Sequence, residues 1–557
     1  MKRIKLIAAL VLFYGVVFLT SCSDMVATYS EESFMGVKIV TESELYDYAV
    51  GNDPVFNSED AGLYFDGNPV PYYKNEYTYM LPVDLSNDSW DNGRLSSSKG
   101  GTLYFIEDES LAEGTKAETV AGNKEFRIVH IVNGEFSEYS IVFTGLPIMT
   151  IDMKEEPLDP NYPIGDEDEA CVLTMFEPQS GETRSIYQSS DALVHQRGGS
   201  TLIGGYSKVG LRINLRQTDS NGVVDNNHLS FCGLRTEDDW ILLPLYTEET
   251  KVREKFCIDT WGMFGLEEND YDMDNGTRME YIEVIMNGEY WGMFGLVEPI
   301  DGKQLNLTDG DALFKIHSWT QPKAEVLRQL GNTVFYIDYS VAPAEQETMD
   351  VKYPKEDKVN QEVWDIMAKF MESVFESNPA DISKNLGDWI KVENAVDHWL
   401  FTNFICCGDN TWKNLYISFK KDGDAYKIHL TPWDFDLSFG LSWSSSAYLH
   451  WRYNPSVVDD IDEFEYARYV IDYVDGGKEI CYNRWQELRA DILDKENIYQ
   501  RIDDIQSFIL STGACTREFE KWPEGGYTED LTYLKDIISQ RLEYLDGYIE
   551  RTFKPAE

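Results

Sequence analysis

Short strand-like runs carry the sequence from about residue 36 to 320, and helical periodicity takes over from about 360. No other feature constrains the fold as much. Strands gathered first and helices later direct a chain to an α+β architecture rather than to alternating α/β units. The runs 101–106, 126–132 and 139–143 are rich in β-branched and aromatic residues, and Asn133-Gly134 between the last two suits a tight hairpin turn. Further on, Val363, Ile366, Met367, Phe370, Met371 and Val374 share one helical face, and the tail 478–553 is helical with a break at 523–526. These patterns imply a small all-β, sandwich-like domain over 36–145 and a Pro- and acid-rich linker at 155–168. They also imply a two-lobed α+β domain over 146–553, with an N-lobe at about 146–320 and a helical C-lobe at about 321–553.

The N-terminus sets the expected address. Lys2, Arg3 and Lys5 precede an apolar run, 6–19, which suits a signal-peptide core and is short for a membrane span. Leu19-Thr20-Ser21-Cys22 is similar to the processing site of bacterial lipoproteins. Residues 1–21 thus read as a signal peptide, Cys22 as the lipidated residue and 22–35 as a tether to the membrane. The expected location is extracytoplasmic, at the outer-membrane surface or the periplasmic face. A formal net charge of −50 repels nucleic acid and excludes it as a partner. After Cys22 the chain has Cys171, Cys232, Cys257, Cys406, Cys407, Cys481 and Cys515, an odd set without C-x-x-C. They read mostly as small buried hydrophobes.

The chemistry is concentrated between 392 and 440. Val392, Val396, Trp399, Leu400 and Phe404 form a helical stripe expected to stop near Cys406-Cys407-Gly408, directly before Asp409-Asn410-Thr411-Trp412-Lys413-Asn414. A strand at 415–419, a turn at 421–424 and a return strand at 425–430 lead to Pro432-Trp433-Asp434-Phe435-Asp436-Leu437-Ser438-Phe439-Gly440. Each arm of that hairpin is about five residues long at about 3.3 Å per residue, so its ends return to one place. Asp409, Asn414 and Asp434 should then converge on a single rim. Two carboxylates and an amide oxygen there suit a hard divalent cation and a proton acceptor. Asp409 alone also reads as a turn residue. Asp434 and Asp436, set between Trp433 and Phe435, place charge among aromatics, which costs energy unless something pairs with it.

With these residues on the page, the sequence resembles the CotH-type (spore coat protein H-like) atypical protein kinases over about 146–553. Four blocks carry the resemblance. Arg197-Gly198-Gly199-Ser200-Thr201 with Lys208 and Leu211-Arg212-Ile213-Asn214-Leu215 is the first. Asn287-Gly288-Glu289-Tyr290-Trp291-Gly292-Met293-Phe294 with Glu298 is the second. Asp409 to Asn414 and Trp433-Asp434-Phe435-Asp436 with Gly440 complete the set. Gly199 stands where the family has Asn, and Val209 where a second Lys is common.

The resemblance implies ATP with Mg or Mn as cofactors, and Ser or Thr of an unknown protein as acceptor. Asp409 would orient or deprotonate the acceptor hydroxyl. Asn414 and Asp434 would hold the metal, with Asp436 as an alternative. Arg197, Gly198 and Ser200 would turn over the phosphates, and Lys208, or else Arg212, would pair with them. The strand 293–297 and Glu298 would border the adenine, and Glu254 would be the partner of Lys208. His195 reads as structural. The sequence lacks G-x-x-x-x-G-K-[ST], H-E-x-x-H and G-x-S-x-G, which sets aside P-loop, zincin and serine-hydrolase chemistry. The expectation is a lipoprotein whose kinase-like domain moves the γ-phosphoryl of ATP. The alternative is a surface binding or structural module with this fold and no turnover, since ATP is scarce outside the cytoplasm.

Overall fold

The computed structural model describes residues 33–49, 60–86, 90, 93–112, 115–155, 164–178, 186–198, 205–264, 276–318, 324–328, 349–374, 381, 385, 389–407, 410, 413–441 and 466–556. Cys22, Ser200 and Asp409 lie outside these described residues, as does most of the expected linker.

The first unit is rich in strands, as its alternating pattern implies, but it is not all-β. A seven-stranded sheet is covered on one face by a three-stranded one, with Leu63, Phe65 and Leu95 packed onto Leu81, Phe105 and Phe143. Asn133 and Gly134 take φ values of 51° and 83°, the left-handed pair that matches a two-residue turn to strand twist. Helices complete the unit. Glu42–Ala49 lays Leu45 against Val40, Ile106 and Val129, and Lys116–Ala121 buries Val120. Each begins at a threonine cap, the first of them a full capping box. The Thr41 hydroxyl accepts from the Glu44 N–H while Glu44 accepts from the Thr41 N–H, and the Thr115 hydroxyl accepts from the Glu118 N–H. The sheet includes the parallel pairs Val37–Val40 with Thr102–Ile106 and Thr78–Pro82 with Glu135–Thr144. Parallel neighbours need crossover connections rather than hairpins.

The N-lobe is a closed barrel. An eight-stranded sheet runs Ile186–Arg197, Glu169–Glu177, Ile148–Met153, Met279–Met286, Glu289–Val297, Asp239–Leu243, Gly210–Thr218 and Val224–Asn226, and Gly210–Thr218 also pairs with Ile186–Arg197. Only Val224–Asn226 stands outside the ring. Alternate residues fill the interior, among them Leu173, Val194, Ile213, Trp240, Val284 and Phe294.

The C-lobe is built on a four-stranded sheet in the order Met349–Tyr353, Ala312–Ile316, Leu415–Asp422, Ala425–Pro432. Ala312–Ile316, just before the expected division near 320, pairs on both sides with strands of this sheet. Phe314 and Phe419 pack onto Trp364 and Phe370 of the helix Gln361–Val374, which buries Val363, Ile366, Met367, Phe370 and Met371 of its expected apolar face. The helix Val392–Ile405 stops where expected, with Cys406 at φ 53° as its left-handed cap. Its polar positions are buried too: Asn394, Asp397, His398 and Asn403 are enclosed along with the stripe. The C-terminal helices complete the lobe, but one of them, Ala514–Lys521, returns to the barrel and packs against Glu289–Val297. Six of the seven described cysteines are buried, in keeping with their reading as small hydrophobes.

Candidate functional site

The hairpin returns as its length dictates. Leu415 pairs with Pro432, and the Trp433 N–H donates to the Asn414 carbonyl at 2.9 Å. Asn414 and Asp434 are therefore neighbours at one end of the sheet. Asp409, the third expected member, lies outside the described residues. Asn410 clips the arrangement from behind. Fully buried, its amide donates to the Trp433 carbonyl at 2.7 Å and to the Asn414 carbonyl at 3.3 Å. The Phe439 N–H donates to the Ile405 carbonyl, tying the loop to the helix end.

The loop's alternation of aromatics and acids has a structural cause. Trp433 and Phe435 are buried, against Tyr416 and Phe401, whereas Asp434 and Asp436 keep partial exposure. The rings anchor the loop and the acids project between them. Asn414 and Asp434 both take left-handed φ values, 53° and 70°. Such conformations cost energy for residues with a side chain and persist where the surroundings impose them. The Asp436 carboxylate accepts from the Thr247 hydroxyl at 3.1 Å.

Cations reach this rim from both lobes. Arg197 ends a barrel strand and sets its guanidinium 5.7 Å from the centre of the Trp433 ring. Gly198, at φ 124°, follows at once and lets the chain turn away. Burial holds the Arg197 guanidinium below its usual range, while Tyr416 and Asp434 pull it back up. Arg212 faces the same Tyr416 and is matched by Asp239 at 3.0 Å. Lys315, which sequence reasoning missed, lies with its Nζ 5.8 Å from the Tyr416 ring centre. Burial and the nearby Arg197 press its ammonium down to about 7.

Glu254 belongs to this centre, though not in the expected role. On the helix Arg253–Phe264 its carboxylate accepts the Phe435 N–H at 2.9 Å, which fixes the loop between the two acids. Burial, then the charges of Asp434 and Asp436, push its carboxyl well above the usual carboxylate range.

Lys208 requires a correction. Its Nζ is fully buried and donates to both carboxylate oxygens of Glu518, at 2.7 and 2.9 Å, and to the Met293 carbonyl at 2.5 Å. Its three N–H bonds are committed, and its partner is Glu518 rather than Glu254. Burial, partly offset by Glu518, lowers it to about 8. Glu298 is likewise engaged elsewhere. Fully buried, it accepts the Arg235 N–H at 2.6 Å and the Arg278 guanidinium at 2.7 Å.

The 287–294 block is explained by the same C-terminal helix. Asn287 and Gly288 form the hairpin turn. The Tyr290 hydroxyl donates to Glu283, which also receives Arg517, and the Met293 N–H donates to Glu518. Gly292 leaves room for that carboxylate. A Cβ there would lie 2.2 Å from a Glu518 oxygen, at φ 109°.

The structure thus brings together Arg197, Gly198, Arg212, Asn414, Asp434 and Asp436, and engages Lys208 and Glu298 with other partners. Among the described residues no group of three or more His, Cys, Asp or Glu is placed to hold a metal ion. The Asn414–Asp434 pair suits Mg²⁺ or Mn²⁺ in another way, since such ions take few protein oxygens and complete their shell with water and phosphate. The adjoining guanidinium of Arg197 fits the phosphate half of such a complex.

A family model described as CotH kinase protein matches residues 194–545, more than half of the chain. It begins inside the strand that carries Arg197, so the first barrel strands and the sheet-rich unit precede it. No curated protein matches the chain.

Proposed function

The chain belongs to the CotH kinase family, and we propose from this that it transfers the γ-phosphoryl group of ATP to Ser or Thr of a protein. The juxtaposition of Asn414 and Asp434 beneath Arg197 supports this reading. A divalent cation bound by Asn414 and Asp434, or by Asp436 in their support, would supply neutralisation of phosphate charge. Arg197 and Arg212 orient the phosphates through charge-assisted hydrogen bonds. Asp409 accepts the proton of the attacking hydroxyl, and Asn410 and Glu254 hold the loop on which Asp434 stands. Catalysis of this kind is positioning and electrostatics rather than a covalent enzyme intermediate.

The test is incubation of the full chain with labelled ATP and Mn²⁺ or Mg²⁺. Label should enter the chain or an added protein acceptor, and Asp409→Ala and Asp434→Ala should each abolish it. Absence of both nucleotide binding and label transfer overturns the reading. We further propose that lipid on Cys22 anchors the protein outside the cytoplasm. Fatty-acid labelling that survives Cys22→Ser would refute that.

A second reading draws on the sequestration of Lys208. A kinase fold whose barrel lysine is closed off by Glu518 also suits a binding or structural module without turnover. Thermal stabilisation by ATP with metal favours the kinase. Stabilisation by a glycan or protein alone favours the module.

A further inference from the structure

We infer that Lys315, in place of Lys208, is the lysine that contacts the phosphates of a nucleotide in this site. The inference rests on the kinase reading above and adds a residue to it.

Position comes first. In the C-lobe sheet Lys315 stands directly opposite Tyr416 on one side and Asp350 on the other. Directly opposed side chains share a face. Its chain neighbours Phe314 and Ile316 are fully buried in the C-lobe core, so Lys315 and Tyr416 occupy the opposite face. Arg197 comes to that face from the barrel. Its guanidinium lies on Trp433, whose ring centre is 6.3 Å from that of Tyr416, and Lys315 Nζ lies on Tyr416 itself. One cation from each lobe therefore meets the other across two adjoining rings, within electrostatic reach of Asp434.

Compensation comes second. Arg212 has Asp239, Lys208 has Glu518, and Asp350 is taken by Lys352 at 2.8 Å and His317 at 3.2 Å. Among the described residues neither Arg197 nor Lys315 has a carboxylate within ion-pair distance. The nearest acid that both feel, Asp434, acts on them through space and forms no ion pair with either among the described residues. Two like charges set together in a partly dehydrated cleft are unfavourable unless an anion joins them. A polyphosphate supplies that anion, and a lysine ammonium serves phosphate as a mobile point charge.

The experiment is titration of the full chain, with Mn²⁺ present, by ATP, by inorganic tripolyphosphate and by adenosine. The variants are Lys315→Gln, Lys315→Arg and Lys208→Met, each checked for its melting temperature. Lys315→Gln should weaken ATP and tripolyphosphate by about tenfold or more. It should leave adenosine binding unchanged and should not lower the melting temperature, since it removes one of two like charges, and Lys315→Arg should restore part of the loss. Lys208→Met should chiefly lower the melting temperature. If the wild type binds ATP and Lys315→Gln binds it equally well, the role of Lys315 is overturned while the kinase reading stands. If the wild type binds neither ATP nor tripolyphosphate, both fall.

Discussion

Lys208 Nζ and the Glu518 carboxylate, 310 residues apart in the chain, form a 2.7 Å ion pair from which solvent is excluded. The pair fastens the Ala514–Lys521 helix to the barrel. Beside it Arg517 joins Glu283 of the barrel, Thr144 at the end of the first unit's sheet, and Asn123. Two consecutive residues thus join the C-terminal helix to both preceding units. Glu518→Ala leaves the Lys208 ammonium buried and unpaired, at an expected cost of about 3–5 kcal/mol. Urea unfolding should show a lower midpoint, and Lys208→Met combined with Glu518→Leu should recover most of the loss. A Glu518→Ala chain as stable as the wild type contradicts this account.

Gly292→Ala acts on the same joint from the barrel side. The added methyl meets the Glu518 carboxylate and must sit at a φ that L-residues avoid. The expected loss is about 2 kcal/mol or more. Gly423→Ala provides the comparison. It also has a positive φ, but nothing lies within 4 Å of the added carbon, so only the backbone strain remains. The difference between their melting temperatures reports the clash together with the costlier φ of Gly292, 109° against 63°.

Asn410→Ala removes the clip between Asn414 and Trp433. The Trp433 carbonyl loses its 2.7 Å donor, at an expected cost of about 1–3 kcal/mol. Asn410 is a positioning residue, so label transfer should fall in the rate of turnover more than in the affinity for ATP. Unchanged turnover in a destabilised chain would assign Asn410 to the fold alone.

His398 and His429 make stability depend on acidity. Burial, and for His398 also the nearby His429, presses His398 down to about 3; burial and Lys391 press His429 to about 4. The unfolded chain takes up these protons near pH 6.5 and the folded chain does not. The unfolded state therefore binds more protons between those limits. Stability is fully present above about pH 6.5 and falls as the pH drops toward the folded values. His398→Leu should flatten that slope between about pH 6.5 and 5, where the reference titration of His applies and most carboxylates remain ionised. An identical slope in the variant rejects the assignment.

The candidate site was legible where local rules suffice. Hairpin length and strand rise bring Asn414 to Trp433 and Asp434, and no distant contact is needed for that result. The Asn133-Gly134 turn and the stop of the Val392–Ile405 helix follow from equally local preferences. The helices of the first unit had a local signal as well, since Thr41-x-x-Glu44 and Thr115-x-x-Glu118 have the capping-box pattern, but it was masked by the surrounding strand pattern. Lys315 had none. Its proposed role comes from lying beside Tyr416 in its own sheet and near Arg197 of the other lobe, and a single lysine in a strand carries no mark of that.

The sequence by itself determined the α+β ordering of strands before helices, the return of the 415–432 hairpin and the kinship carried by its flanking motifs. Period, turn chemistry and spacing act within a few residues and can be read in line. The tertiary structure alone decided that the N-lobe closes into a barrel, that Glu298 is spent on Arg278, and that the lysine of the first motif is paired with a helix from the far end of the chain. Buried charges find partners by proximity in space, and a desolvated ammonium takes whichever carboxylate the packing brings within hydrogen-bonding distance. For Lys208 that carboxylate is Glu518, whereas Arg197 and Lys315 come to lie over the adjoining rings of Trp433 and Tyr416.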